Sequence, residues 1–335
     1  MGLSISHKEF KMEKQEKLYN YPETGVKPFD WSLYNESQTK EKSLFLKMLQ
    51  ELVYSSQCEY TARRIFCMCF KTYSNISSRR MISDLVMCKR MGFIGQVPHF
   101  NTVLNYFNDR NLTKVLKYLI ELSALPLAQL ERNFAVDASG ISLHQYEPWI
   151  SVRTRHKEHR KYKKIHAIYG VLSNIITSCI VTKGTANDCP HFKELLERTA
   201  NNFIVGEVSA DLAYSSKDNL SLVSQLGGIP YIPFKSNATG KGLGIWSQMY
   251  YYFKNHQEEF LKHYHKRSNA ETGFFMIKQK FGEYVKSKND VAQKNEILCK
   301  VLCHNLCVLI QEMFLQGVEV DFLGISKSVV CTSSE

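Results

Sequence analysis

The sequence predicts an α/β fold, a mixed sheet flanked by helices and preceded by a helical domain. Three observations carry that prediction. Apolar residues recur at helical spacing from about residue 44 to 130. Runs rich in β-branched residues and bounded by turn residues follow. Helical spacing then returns from about 246 to 316. Strands alternating with helices in this way indicate layered α/β architecture.

Taken in order, residues 1–43 read as a polar, irregular lead-in containing Pro22 and Pro28. Residues 44–130 form the helical domain, with segments such as LFLKMLQELVYSS, YTARRIFCMCFKTY and LTKVLKYLIELS. Within 44–110 there are nine Lys/Arg against four Asp/Glu, and GFIGQVPHFNTVLNYFND sets Gly92, Gly95 and Pro98 before a short helix. That pattern fits a helix-turn-helix, so residues 44–130 are read as a DNA-binding domain in preference to a helical bundle whose basic residues are merely solvated. Residues 131–316 form the α/β domain and 317–335 a C-terminal tail. Inside the α/β domain, NFAVDASGISL and HAIYGVLSNIITSCIVTKG supply three strands, NDCPHFKELLERTA a helix capped by Asn187 or Asp188, and NFIVGEVSAD a strand. SSKDNLSLVSQLG is a helix capped by Ser215 or Ser216, and GIPYIPF a last strand.

Composition narrows the function. The chain has 335 residues, 44% of them hydrophobic, and can bury a real core. A net charge of +11 suits a polyanionic partner, of which nucleic acid is the commonest. No uninterrupted apolar run reaches the roughly 18–20 residues that span a bilayer, so no membrane association is expected. The N-terminus lacks an apolar signal core, and ten scattered cysteines fit a reducing compartment, so the expected location is cytoplasmic. Cys299, Cys303 and Cys307 recur every four residues beside His304, which reads as a buried stripe in preference to a metal site.

Three acids stand where acids are costly. Asp137 ends the run Phe134-Ala135-Val136, and Asp211 ends the strand through Val208-Ser209-Ala210. Either alone reads as a cap or turn residue. If their strands are neighbours, the two carboxylates repel unless a cation lies between them, and hard oxygen ligands suit Mg²⁺ or Mn²⁺. The third acid, Glu271, lies in KHYHKRSNAETGFFMIKQKFG. On one continuous helix Tyr264, Arg267, Glu271 and Lys278 would fall within an arc of roughly 60° and run roughly 20 Å along it. Glu271 would face a metal, Arg267 and Lys278 phosphates, and Tyr264 a base or phosphate. A new helix beginning at Ser268 or Asn269 would move Tyr264 and Arg267 off that line. The run RTRHKEHRKYKKIH, residues 153–166, adds Arg153, Arg155, Arg160, Lys161, Lys163 and Lys164 as candidate DNA-backbone contacts. Its His156, His159 and His166 read as phosphate or solvent contacts, since they lack the partner cysteines of a zinc finger.

These residues together resemble the DDE transposases of bacterial and archaeal insertion sequences, the group with a Y-(2)-R-(3)-E-(6)-K signature. The signature stands as Tyr264, Arg267, Glu271 and Lys278; FAVDASG and SADLAYSS resemble the family's first two catalytic strands. The likeness covers about residues 98–312. It implies an RNase H-like catalytic domain over 131–316, with Asp137, Asp211 and Glu271 as catalytic and metal-binding residues for two Mg²⁺ ions, which Mn²⁺ can replace. It implies double-stranded DNA as partner, both terminal inverted repeats and target, a dimer on that DNA, and a nucleoid-associated protein. The reaction implied is cleavage at transposon ends and strand transfer into target. An RNase H-like nuclease that does not join strands, and a non-catalytic DNA-binding repressor, are the alternatives.

Overall fold

Helix begins at Trp31, within the segment expected to be irregular up to residue 43. The computed structural model, which describes residues 26–143 and 161–324, gives the reason. The Asp30 carboxylate accepts from the backbone N–H groups of Ser32 and Leu33 at 2.7 and 3.1 Å and caps α1 (Trp31–Ser56). It thereby satisfies donors that every helix start leaves open. The polar residues that disguised this turn are on the inner face: Ser37 and Glu41 are buried, and Glu41 accepts from the Tyr73 hydroxyl at 2.8 Å. Four more helices follow: α2 (Glu59–Ser74), α3 (Met81–Arg90), α4 (Phe100–Tyr106) and α5 (Arg110–Ala124). Asp109 caps α5 and also pairs with Arg64 of α2 at 2.6 Å, tying the two helices together.

The sheet has five strands: β1 (Asn133–Ser142), β2 (Tyr162–Gly170), β3 (Ile176–Lys183), β4 (Glu207–Ala210) and β5 (Ile229–Tyr231). Their order is β3-β2-β1-β4-β5. β1 and β2 are antiparallel, as are β2 and β3, whereas β4 and β5 run parallel to β1. The fold is therefore α/β with a mixed sheet. β4 and β5 are shorter than the runs NFIVGEVSAD and GIPYIPF promised, because pairing to β1 begins only at Glu207.

Helices α6 (Phe192–Ala200) and α7 (Lys217–Gln225) connect these strands. Ser216 caps α7 as expected, accepting from Asn219 N–H at 3.1 Å. Asp188 does not cap α6, which starts after a 3₁₀ turn at Cys189–His191; its carboxylate is taken by Lys164 at 2.5 Å. After β5 come α8 (Ile245–Asn255), α9 (Gln257–Tyr264), α10 (Ser268–Phe281) and α11 (Asp290–Leu315).

α11 is the axis of the core. It packs on α5, α1, α2, α10 and β3. Asn305 on this helix is fully buried and cross-links three elements: Oδ1 accepts from Ile176 N–H of β3, and Nδ2 donates to the Ile120 carbonyl and the Ser123 hydroxyl of α5. Contrary to the expectation from apolar runs, α11 is long and apolar enough to cross a bilayer, but 78% of its apolar window is buried inside the protein. It is a core helix. Cys299 and Cys303 lie wholly inside that core, and burial raises both thiols. Among the described residues no three His, Cys, Asp or Glu side chains are grouped to grip a metal, Asp137, Asp211 and Glu271 included.

Near the end of α11, burial and the nearby Glu131 carboxylate push Glu312 up from 4.5 to about 7. The folded state then holds a proton that the unfolded chain releases first, so stability falls as pH rises from 4.5 through 7. Glu312→Gln is expected to raise stability at pH 8 by about 1–3 kcal/mol and to leave it unchanged near pH 4. Thermal unfolding at the two pH values measures this.

Candidate active site

Asp137 and Asp211 are brought together by strand register. β1 and β4 pair in parallel with Val136 opposite Ala210, so each aspartate is the next residue on its own strand. Neighbouring strands lie roughly 4.8 Å apart, which sets the two carboxylates side by side where β4 ends against the middle of β1. Each is steered by the following backbone N–H: Ala138 donates to Asp137 Oδ1 at 2.8 Å, and Leu212 to Asp211 Oδ1 at 2.6 Å. Asp211 thus also caps a 3₁₀ turn, Leu212–Tyr214, so the turn role and a site role coexist in one side chain.

α10 completes the cluster. It lies across β1 and β2 on the Asp137 side, held by Phe274 edge-on to Tyr169 with ring centroids 5.1 Å apart and by Asn269 donating to the Val171 carbonyl at 2.7 Å. Close approach depends on Gly273: a Cβ there would fall 2.6 Å from Cδ1 and 3.0 Å from Cζ of the buried Tyr169 ring. In this position Arg267 reaches two acids at once. Its Nη1 is 3.3 Å from Asp137 Oδ2, and its Nη2 is 2.6 Å from Glu271 Oε1. Burial raises the Asp137 carboxyl above the ordinary range; the Ala138 N–H and Arg267 oppose that, and Glu271 and Asp211 add to it. Asp137 therefore sits within electrostatic reach of both other acids expected from the sequence.

The four-residue helix face is built differently from the expectation. Tyr264 ends α9, Arg267 closes a 3₁₀ turn (His265–Arg267), and Glu271 stands in the first turn of α10. The new helix does begin at Ser268, yet Tyr264 and Arg267 stay on the site because the turn keeps right-handed helical dihedrals. The Arg267 guanidinium lies 5.9 Å from the centre of the Tyr264 ring. Lys278 points to the sheet and donates to the Ser139 hydroxyl at 2.7 Å. A clamp sets this turn: Glu207, at the start of β4, accepts from His263 at 3.0 Å and Lys266 at 2.7 Å.

The basic run divides. Arg153, Arg155 and Arg160 lie outside the described residues. Lys161 is exposed ahead of β2. Lys163 and Lys164 are strand residues that carboxylates hold: Lys163 is buried against Asp290, and Lys164 is paired with Asp188. His166 is a correction. It is fully buried on β2, with Nε2 2.9 Å from Thr182 Oγ1 and Nδ1 3.3 Å from Asp188, and burial lowers it to about 4. A neutral core imidazole cannot contact phosphate.

Sequence reasoning missed Tyr214. Its hydroxyl is buried beside the site, and after burial the carboxylates of Asp188, Asp137 and Asp211 raise its pKa further. Its position three residues past Asp211 was the available signal.

Asp211 follows the end of β4 as expected, whereas Asp137 lies in the middle of β1, which runs on to Ser142 paired with β2. Hard carboxylate oxygens of this kind suit a divalent cation such as Mg²⁺, which takes one or two protein carboxylates and fills its shell with water and phosphate. A pre-built cage of three protein ligands is not required of such a site.

The family model for the transposase DDE domain matches residues 128–306, a span that holds all three acids. The chain belongs to the DDE transposase family. Searches of curated proteins and of solved structures return no match. Family membership gives DNA as the substrate and assigns the chain to enzymes of the transposase and nuclease class.

Proposed function

We propose that the chain is a cut-and-paste DNA transposase of the insertion-sequence group with the Y-(2)-R-(3)-E-(6)-K signature, and that its sheet is an RNase H-like catalytic core. The observation that carries the reading is the side-by-side placement of Asp137 and Asp211, completed by Glu271 of α10, with Lys278 further along that helix and Arg267 and Tyr264 on the turn and helix that precede it. Asp137, Asp211 and Glu271 would hold the two Mg²⁺ or Mn²⁺ ions. When bound, such ions polarise the scissile phosphate and stabilise both the attacking and the leaving oxygen of an in-line displacement.

The chain's own groups divide the remaining work. Arg267 offers a planar fork of donors to a phosphate. Tyr264 presents a ring at the mouth of the site. Lys278, anchored on Ser139, contributes positive charge along the strand path. Water serves first as nucleophile and a 3′-hydroxyl second, so no side chain becomes covalently attached. The helices of 44–130 would hold the terminal repeat, with Arg79, Arg80, Lys89 and Arg90 around α3 supplying backbone contacts. A dimer on DNA holding two ends, and a cytoplasmic, nucleoid-associated location, belong to the same proposal.

The test mixes protein, Mg²⁺ and DNA carrying the element's terminal repeats. Cleavage at those ends with joined products supports a transposase. Cleavage without joining reduces the chain to a nuclease, and binding without cleavage to a repressor. Asp211→Asn is expected to lose cleavage and keep DNA binding within about twofold, since a single buried-edge charge adds little to a contact made over many phosphates. Normal cleavage by that variant would remove Asp211 from the site.

A further inference from the structure

Arg267 occupies a position that a cation would also claim. Its two nitrogens pair with Asp137 at 3.3 Å and Glu271 at 2.6 Å, one carboxylate from β1 and one from α10. The contact is favourable enough to keep the guanidinium firmly charged: burial opposes the charge, and Glu271 and Asp137 more than offset it. The third neighbour is the Tyr264 ring at 5.9 Å. These contacts leave the guanidinium at the rim, where its own side chain is 21% exposed and Glu271 is 59% exposed. A phosphate arriving from solvent therefore has access to the same fork of donors.

We propose that Arg267 competes with the divalent ion for Asp137 and Glu271, and that DNA phosphate relieves the competition by drawing the guanidinium away. The inference rests on the metal-site reading of the preceding section and adds a coupling to it. An ion and a guanidinium cannot both be fully paired to the same two carboxylates, because their charges repel. A DNA phosphodiester offers Arg267 a bidentate partner with a full negative charge that the metal site does not need. Moving the guanidinium from carboxylates to phosphate frees two oxygen ligands at the moment substrate arrives. By linkage, whatever DNA does for metal affinity, metal does equally for DNA affinity. The device would keep the site poorly metallated without DNA, and so unable to hydrolyse strands it merely brushes.

The experiment measures Mn²⁺ binding to the full chain by electron paramagnetic resonance, without DNA and with a short duplex. Arg267→Gln removes the competing charge and keeps a polar side chain. It is expected to bind Mn²⁺ without DNA about tenfold more tightly than the unaltered protein, the scale of one unit charge removed at the rim of a partly solvated site. The duplex is expected to tighten Mn²⁺ on the unaltered protein several times more than on the variant. Equal or weaker Mn²⁺ binding by Arg267→Gln would overturn the proposal, because it would make Arg267 an organiser of the carboxylates. Equal tightening by the duplex on both proteins would overturn the coupling. Arg267→Lys, which keeps the charge but cannot bridge two carboxylates, is expected to fall between the two, and serves in its place if the glutamine variant does not fold. Asp137→Asn separates the two levels of argument. If that variant binds Mn²⁺ as the unaltered protein does, the metal-site reading fails. If it loses Mn²⁺ and Arg267→Gln gains nothing, the competition alone fails.

Discussion

Asp137→Asn is expected to abolish DNA cleavage while leaving the protein as stable as before, or slightly more so. The two halves have separate causes. The amide keeps the shape of the side chain and an oxygen for the Ala138 N–H, so β1 and its register are preserved. It removes the negative charge that the reading assigns to metal, and loss of one such transition-state contact typically costs on the order of 10²–10³ in rate or more. Stability moves the other way because burial already raises the Asp137 carboxyl. An acid whose folded pKa is raised subtracts from stability at neutral pH, and removing its charge returns that amount. A structural ion pair with Arg267 would behave differently: breaking it would lower the melting temperature. Cleavage assays and thermal unfolding on the same preparation distinguish the cases, and retained cleavage would take Asp137 out of the site.

The second large effect is expected at Gly273. In an exposed helix, Gly→Ala stabilises by roughly 0.8–1 kcal/mol. Here the sign is reversed, because the added methyl would overlap the ring of Tyr169, which is fully buried and cannot swing aside. Overpacking of this kind costs about 1–3 kcal/mol. The consequence for chemistry is larger than for folding. α10 must ride outward, and Glu271 and Arg267 ride with it, since they precede Gly273 by two and six residues. Displacements near 1 Å can cost on the order of a hundredfold in rate. Gly273→Ala is therefore expected to fold, with a lower melting temperature, and to cleave DNA at about a hundredth of the normal rate. The double variant Gly273→Ala, Tyr169→Phe leaves the ring in place and should not recover; Tyr169→Leu, which clears space, should recover in part. A melting temperature raised by Gly273→Ala would show that the helix does not depend on this approach.

Much of the site could be read before any coordinates. Apolar runs ending in aspartate singled out Asp137 and Asp211 as strand-end charges that need a partner. Asp211 does follow β4, whereas β1 runs on past Asp137 to Ser142. The adjacency of their strands could not be read, because pairing of β1 with β4 skips two intervening strands. Glu271 and its neighbours were legible from spacing, and the 3₁₀ turn at His265–Arg267 was not, because nothing in HKR breaks a helix. The basic run misled for a different reason. Lys163 and Lys164 meet carboxylates from Asp290 and Asp188, which are distant in sequence, so charge counting along the chain credited them to the DNA backbone. α1 was missed at its start because its inward face is polar there.

One consequence follows from how the strands are threaded. The acids come from β1, from the end of β4 and from α10, and the helix that seats α10 against the rest is α11, near the end of the described chain. During synthesis the two aspartates emerge long before the glutamate. A nascent chain, or one truncated ahead of α10, carries two thirds of the carboxylates and none of the helix that presents the rest. If the three acids are the catalytic set, such a fragment is expected to be inert. On the proposed reading, the carboxylate set is complete only once α10 has been made and seated against α11.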